Sequence, residues 1–149
     1  MIQKVKEDFK NGILNKVKFI DEMSKQQQSL FEYVTLLQSY VFDRNISVDI
    51  IKCDVEGAEL LVYQGGIKTI ETFKPVVFTE MLRKWSAKFG YHPNDIIALF
   101  SQQGYLCYCN DGAQQLSCIR EITEDTANTN FFFLHPEKHA SIIERYETR

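Results

Sequence analysis

The sequence lacks any pair of glycines at the GxG spacing. Its seven glycines stand at 12, 57, 65, 66, 90, 104 and 112, so no glycine-rich turn that could cradle a cofactor can be drawn. Cysteine is sparse: Cys53, Cys107, Cys109 and Cys118 have no CxxC spacing, which argues against a zinc site. Met1 to Asp8 has no apolar signal-peptide core, so a disulfide is not expected either, and all four cysteines read as reduced thiols. No stretch approaches the ~18 consecutive apolar residues of a membrane helix, and a soluble, cytoplasmic protein is expected. Positive charge is not in excess: 17 Lys and Arg against 20 Asp and Glu leave a net charge of −3. Neither nucleic acid nor an anionic membrane is therefore expected as a partner, and Lys4, Lys6, Lys10 and Lys16 read as a solvated face.

What is present suits one compact α/β unit, with 149 residues and 44% hydrophobic content. Ile2, Val5 and Phe9 have helical spacing before a stop at Asn11-Gly12, and Val17 to Ile20 reads as a short strand. Residues 24–28 read as a polar loop, while Leu30 to Val41 carries apolar residues without a clean period. Val48 to Cys53 is a β-branched run expected to form a strand covered on both faces, closing on Asp54. Ala58 to Tyr63 and Ile67 to Phe73 read as helix, interrupted at Gly65-Gly66. Lys74-Pro75 ends this stretch, and Val76 to Thr79 forms a second buried strand closing on Glu80. Strand, helical crossover and strand make a βαβ unit, so the sheet is expected to be mostly parallel. Beyond a long loop, Asn94 or Asp95 is expected to cap a helix running to Gln103, followed by a strand over Tyr105 to Cys109. Asn130 to Leu134 is the last expected strand, and Pro136 is expected to open a final helix to about Tyr146.

Ligands of open α/β sheets sit beyond the carboxyl ends of the strands, so Asp54 and Glu80, which close two strands, are the first candidates for function. On neighbouring strands, about 4.8 Å apart, they would share one rim with Glu56 a step into the loop. Like charges so placed raise one another's pKa unless something compensates, and three occupants would do so. These are a hydroxyl or amine that must lose a proton, a sulfonium cation, or a divalent metal on oxygen ligands. The spacing is equally compatible with a plainer role, in which Asp54 and Glu56 cap the following helix and Glu80 is a solvated loop residue.

Several pieces in fixed order resemble the FkbM-type methyltransferases. They are Ile51-Lys52-Cys53-Asp54-Val55-Glu56-Gly57-Ala58-Glu59, then Gly65-Gly66, Lys74-Pro75 before a strand ending in Glu80, Gly104-Tyr105, and Asn130-Phe131-Phe132-Phe133. The resemblance implies a Rossmann-like enzyme using S-adenosylmethionine, usually acting on a hydroxyl oxygen, with the acidic run at the edge of the active site. Catalytic roles would then fall to Asp54, Glu56 and Glu80, with Asp54 also touching the cofactor. Two departures stand out. Thr35-Leu36-Leu37 resembles a family segment that usually reads Thr-Leu-Asp. The glycine-rich turn and the ribose-binding acid of such enzymes have no counterpart here. The expected fold class is thus an incomplete Rossmann-like sheet lacking the N-terminal cofactor-cradling strands. One partial domain over 1–149 would comprise a variable segment 1–45, a recognisable core 46–134 and a C-terminal helix 135–149. A sheet lacking those strands would have an open edge, which a second copy or a partner supplying the missing half could cover.

The segment from Met81 to Pro93 follows a strand end and so overhangs the same crevice. Arg83, Trp85, Tyr91 and His92 are its candidates for binding a substrate. Trp85 and Tyr91 could equally pack on neighbouring helices, and a histidine before Pro93 also fits a structural role. His135 and His139 have the i, i+4 spacing of metal ligands, but His135 precedes Pro136, so coincidence is the preferred reading. Cys107 and Cys109 share one strand face and read as small buried hydrophobes, and no metal site is assigned. The Phe131 to Phe133 run reads as core on both faces of its strand. These observations give two expectations: methyl transfer from S-adenosylmethionine to a hydroxyl of a small-molecule, sugar or glycolipid acceptor, or a non-catalytic interaction module that keeps the fold without binding cofactor.

Overall fold

The computed structural model describes residues 23–148, with side chains from Leu30 onward. The helix expected near Ile2 to Phe9 and the strand at Val17 to Ile20 lie outside the described residues. Helix α1 spans Met23–Asp43. It takes in residues 24–28, which are not a loop: glutamine and lysine extend a helix readily when nothing breaks it. The apolar pattern is blurred because Val34, Leu37 and Val41 face inward while Phe31 and Leu36 remain exposed on the outer side.

Strand β1 (Ile50–Cys53), helices α2 (Glu59–Gly65) and α3 (Ile67–Phe73), and strand β2 (Val76–Glu80) form the expected βαβ unit. β1 and β2 are parallel. The break between α2 and α3 falls where α1 crosses: a Cβ on Gly65 would lie 2.8 Å from the Phe31 carbonyl oxygen, so only glycine lets the two helices approach so closely. Phe42 of α1 then stacks on Phe73 of α3, with ring centroids 5.4 Å apart.

The chain continues through a short helix α4 (Arg83–Ser86), a 3₁₀ turn (Ala87–Phe89), helix α5 (Pro93–Gln102), strand β3 (Leu106–Asn110), strand β4 (Leu116–Ile119), strand β5 (Asn130–Leu134) and helix α6 (Ala140–Tyr146). The strand order is β1-β2-β5-β3-β4. Only the β1–β2 pair is parallel, because β5 inserts antiparallel between β2 and β3, and β4 returns from β3 as a hairpin. The sheet is therefore mixed, and the expectation of a mostly parallel one is corrected. β3 still runs in the direction of β1 and β2, but β5 separates it from them.

Helices α2 and α5 cover one sheet face. There Val77, Thr79, Phe131 and Phe133 are fully buried; Phe100 of α5 stacks on Phe133 at 4.1 Å, with Tyr63 and Tyr105 edge-on to it. The opposite face is barer. Phe78 and Phe132 pair across strands at 4.8 Å but are only half-buried, and Ile50 is 69% exposed. The phenylalanine run is thus core on one side only, and β1 is an edge strand of the described sheet rather than a strand covered on both faces. Cys118 lies opposite Tyr108 across the β3–β4 pair, on the face away from Cys107 and Cys109, so the three cannot surround an ion. No described helix is long and apolar enough to cross a membrane.

Candidate functional site

The parallel register pairs Cys53 with Thr79, so the residues immediately beyond them, Asp54 and Glu80, emerge side by side at one rim of the sheet. Asp54 and Glu56 are exposed and Glu80 is half-buried. The plainer capping role does not apply to either exposed acid: α2 begins at Glu59, its N-cap is Ala58, and no side chain caps it. Among the described residues no group of three or more histidine, cysteine, aspartate or glutamate side chains is placed to hold a metal ion.

The turn carrying these acids has unusual backbone geometry. Glu56 has φ 51° and Gly57 has φ 105°, and a non-glycine residue in that region costs on the order of 1 kcal/mol. Glu59 offsets this. Its carboxylate is 2% exposed, and its Oε1 accepts hydrogen bonds from the backbone N–H of Val55 at 3.1 Å and of Gly57 at 3.2 Å, one on each side of Glu56. Buried carboxylates persist where such donors replace water.

Tyr91 closes the turn from the opposite side. Its hydroxyl donates to the Gly57 carbonyl at 2.7 Å, lies 3.2 Å from Glu59 Oε2, and is 3.5 Å from the Leu60 N–H, which points to it. Burial pushes its phenol up to about 12, with the neighbouring Glu59 charge adding to the effect, so it stays protonated as a donor. Beneath the rim, burial also pushes the Cys53 thiol up to about 12, making it an inert packing group.

The segment after β2 is helical, not a long loop. Arg83 starts α4, and its Nη2 donates to the Glu124 carbonyl at 3.2 Å. The half-buried Trp85 ring has the Lys88 ammonium 3.8 Å from its centroid, and the Trp85 carbonyl lies against Gly57. His92, rather than Asn94 or Asp95, caps α5: its Nδ1 accepts from Asn94 N–H at 3.1 Å, while Asp95 accepts from the His92 N–H at 2.9 Å in a reciprocal capping box. Asn94 instead braces the neighbouring loop, exchanging two hydrogen bonds with the Ile122 backbone.

Asp54 and Glu80 thus follow paired residues at adjacent strand ends, Glu56 lies two residues along the turn that Trp85 and Tyr91 touch, and Arg83 and His92 are engaged by other contacts. Glu59 is the residue that sequence reasoning left without a role. The signal for it was the acid closing the Asp54 to Glu59 run at the head of an otherwise apolar helical stretch. His135 and His139 lie at the opposite end of β2 from this rim, beside Lys74.

The family model of the methyltransferase FkbM domain matches residues 14–107, a span that includes β1, the acidic turn, β2 and the α4 segment. No curated protein and no solved structure matches the chain.

Proposed function

Because the chain belongs to the FkbM methyltransferase family, we propose that it takes part in methyl transfer from S-adenosylmethionine to a hydroxyl of a small-molecule, sugar or glycolipid acceptor. The observation that carries this reading is the Cys53–Thr79 register, which sets two acids at adjacent strand ends. S-adenosylmethionine, when bound, supplies an electrophilic methyl group on a positively charged sulfonium. The free carboxylates of Asp54 and Glu56 suit a cation and can accept a hydrogen bond from a hydroxyl, so the residues at the rim fit that end of the cofactor. No described glycine pair fits the adenosine end, and no residue is assigned to it.

In this reading Asp54 and Glu56 orient the hydroxyl and take up its proton, with Glu80 supporting them from the neighbouring strand. Most of the rate comes from in-line placement, which asks little of the protein beyond a rigid rim. Trp85 and the segment around it, from Arg83 through Tyr91 to His92, flank the acceptor side.

A second reading is favoured by the lack of any GxG spacing and by the exposed edge at Ile50: an interaction module that keeps the fold and binds no cofactor. Isothermal titration of the purified chain with S-adenosylmethionine separates the two. Saturable binding that weakens in Asp54→Asn, with an unchanged unfolding midpoint, is the expected outcome. Absence of any binding heat favours the module.

A further inference from the structure

We infer that Glu59 and Tyr91 are positioning residues which hold Asp54 and Glu56 in place and join the acidic turn to the 83–92 segment as one body, an inference that rests on reading that rim as the methyl-transfer site. A carboxylate with 2% exposure has been removed from water, and an apolar side chain at position 59 would fill the same space without that penalty. Helix α2 does not require the charge, since no side chain caps its N-terminus. What the carboxylate does is specific: it binds the N–H groups of Val55 and Gly57, the two residues that bracket Glu56. The left-handed backbone at Glu56 is thereby locked from both sides, and with it the direction in which Asp54 and Glu56 leave the sheet.

Tyr91 extends the lock to a distant part of the chain. One hydroxyl reaches the Gly57 carbonyl, the second oxygen of Glu59 and the Leu60 N–H, so the turn, its carboxylate and the first turn of α2 share a single partner. The link is reinforced by a direct backbone contact: an ideal Cβ on Gly57 would sit 2.5 Å from the Trp85 carbonyl oxygen, which leaves no space between the turn and α4. A ligand pressing on the Trp85 side is then felt at Asp54 and Glu56 without touching them, because the two flanks share these contacts.

The test compares the wild type with Tyr91→Phe, which removes only the hydroxyl, and with Glu59→Gln, which keeps one acceptor oxygen. Amide hydrogen exchange is read at Val55, Gly57 and Leu60, and the carboxyl carbon resonances of Asp54 and Glu56 are followed by NMR at constant pH. In Tyr91→Phe, exchange at Leu60, whose N–H points to the hydroxyl, is expected to rise about tenfold, the size of effect one lost hydrogen bond produces, while Gly57, whose N–H stays on Glu59, is expected to rise less. The Asp54 and Glu56 carboxyl resonances are expected to shift with it, a local change that general loss of stability does not produce. Unchanged exchange at Leu60 or unmoved carboxyl resonances would overturn the inference. If Glu59→Gln does not fold, Tyr91→Phe alone decides. Titration of both folded proteins with S-adenosylmethionine separates this inference from the reading beneath it: wild type that binds nothing removes the methyl-transfer assignment, while the exchange and carboxyl resonances still decide the positioning roles.

Discussion

Gly57 meets two demands at one backbone position. Its φ of 105° is open to glycine and strained for other residues, and a Cβ there would collide with the Trp85 carbonyl oxygen at 2.5 Å. Neither can be relieved by a side-chain rotation, because the obstacle is backbone. Gly57→Ala is expected to lower the unfolding free energy by about 1–3 kcal/mol from backbone strain alone, with the overlap adding to that. Urea denaturation measures it, and an unmoved midpoint would show that the turn has room the structure does not give it. The sequence places Gly57 directly after the rim acids, but not the surface it approaches, because Trp85 lies in a separate segment. The rim acids were legible for the opposite reason: a residue that closes a buried strand is marked by the end of the apolar run itself. Glu59 was legible only as part of a motif, since burial of a carboxylate depends on donors that fold around it.

At the scale of elements, the βαβ unit could be read because its helical breaks and β-branched runs are local signals. The β3–β4 hairpin could have been read as well, from Asp111-Gly112 between two strands, but β4 is a half-buried edge without a strong apolar run. The junction of β5 and α6 differs from the helix start expected at Pro136. Pro136 does not open the helix; residues 136–139 form turns, and α6 starts after His139. The reason is a side chain: His139 Nδ1 accepts the His135 N–H at 2.8 Å, and the His135 ring stands edge-on to Tyr105 with its Nε2 3.2 Å from the Lys74 ammonium. Burial lowers both histidine pKa values; Lys74 and Lys138 lower that of His135 further against an opposing pull from Glu137, and Lys138 and His135 lower that of His139 against a backbone hydrogen bond to Lys74. The folded chain thus resists protonation at both rings, whereas the unfolded chain takes up protons near pH 6.5. Where the unfolded state binds more protons, stability rises with pH, so this contribution is fully present above about pH 6.5 and is lost as pH falls through the folded values. The urea midpoint is expected to drop between about pH 7.5 and about pH 5. His139→Asn, which retains an acceptor for the His135 N–H without a titrating ring, should flatten the dependence, and an equally steep fall in that variant would remove His139 from the explanation.

The direction of the strands, expected to be mostly parallel and found mixed, depends on where β5 inserts, and nothing local in Asn130 to Leu134 states which neighbours it will have or in which direction. That insertion leaves β1 at one margin of the described sheet. An edge strand offers unpaired N–H and C=O groups to any strand that approaches, and proteins commonly guard such edges with lysine. Here Lys52 supplies one guard, yet Ile50 stands 69% exposed two residues before it, and the half-buried Phe78 and Phe132 lie on the barer sheet face. Exposed apolar surface continuous with an open edge is the pattern of a contact surface rather than of a solvated margin. We propose that this edge is covered in the working assembly by a second copy of the chain. Sedimentation velocity of the chain alone is expected to show association that increases with concentration. Ile50→Lys should weaken it, while costing no more than about 0.5 kcal/mol in unfolding free energy because the position is exposed. A strictly monomeric wild type would exclude the second copy, and an Ile50→Lys variant that associates as strongly as the wild type would place the contact elsewhere than at the β1 edge.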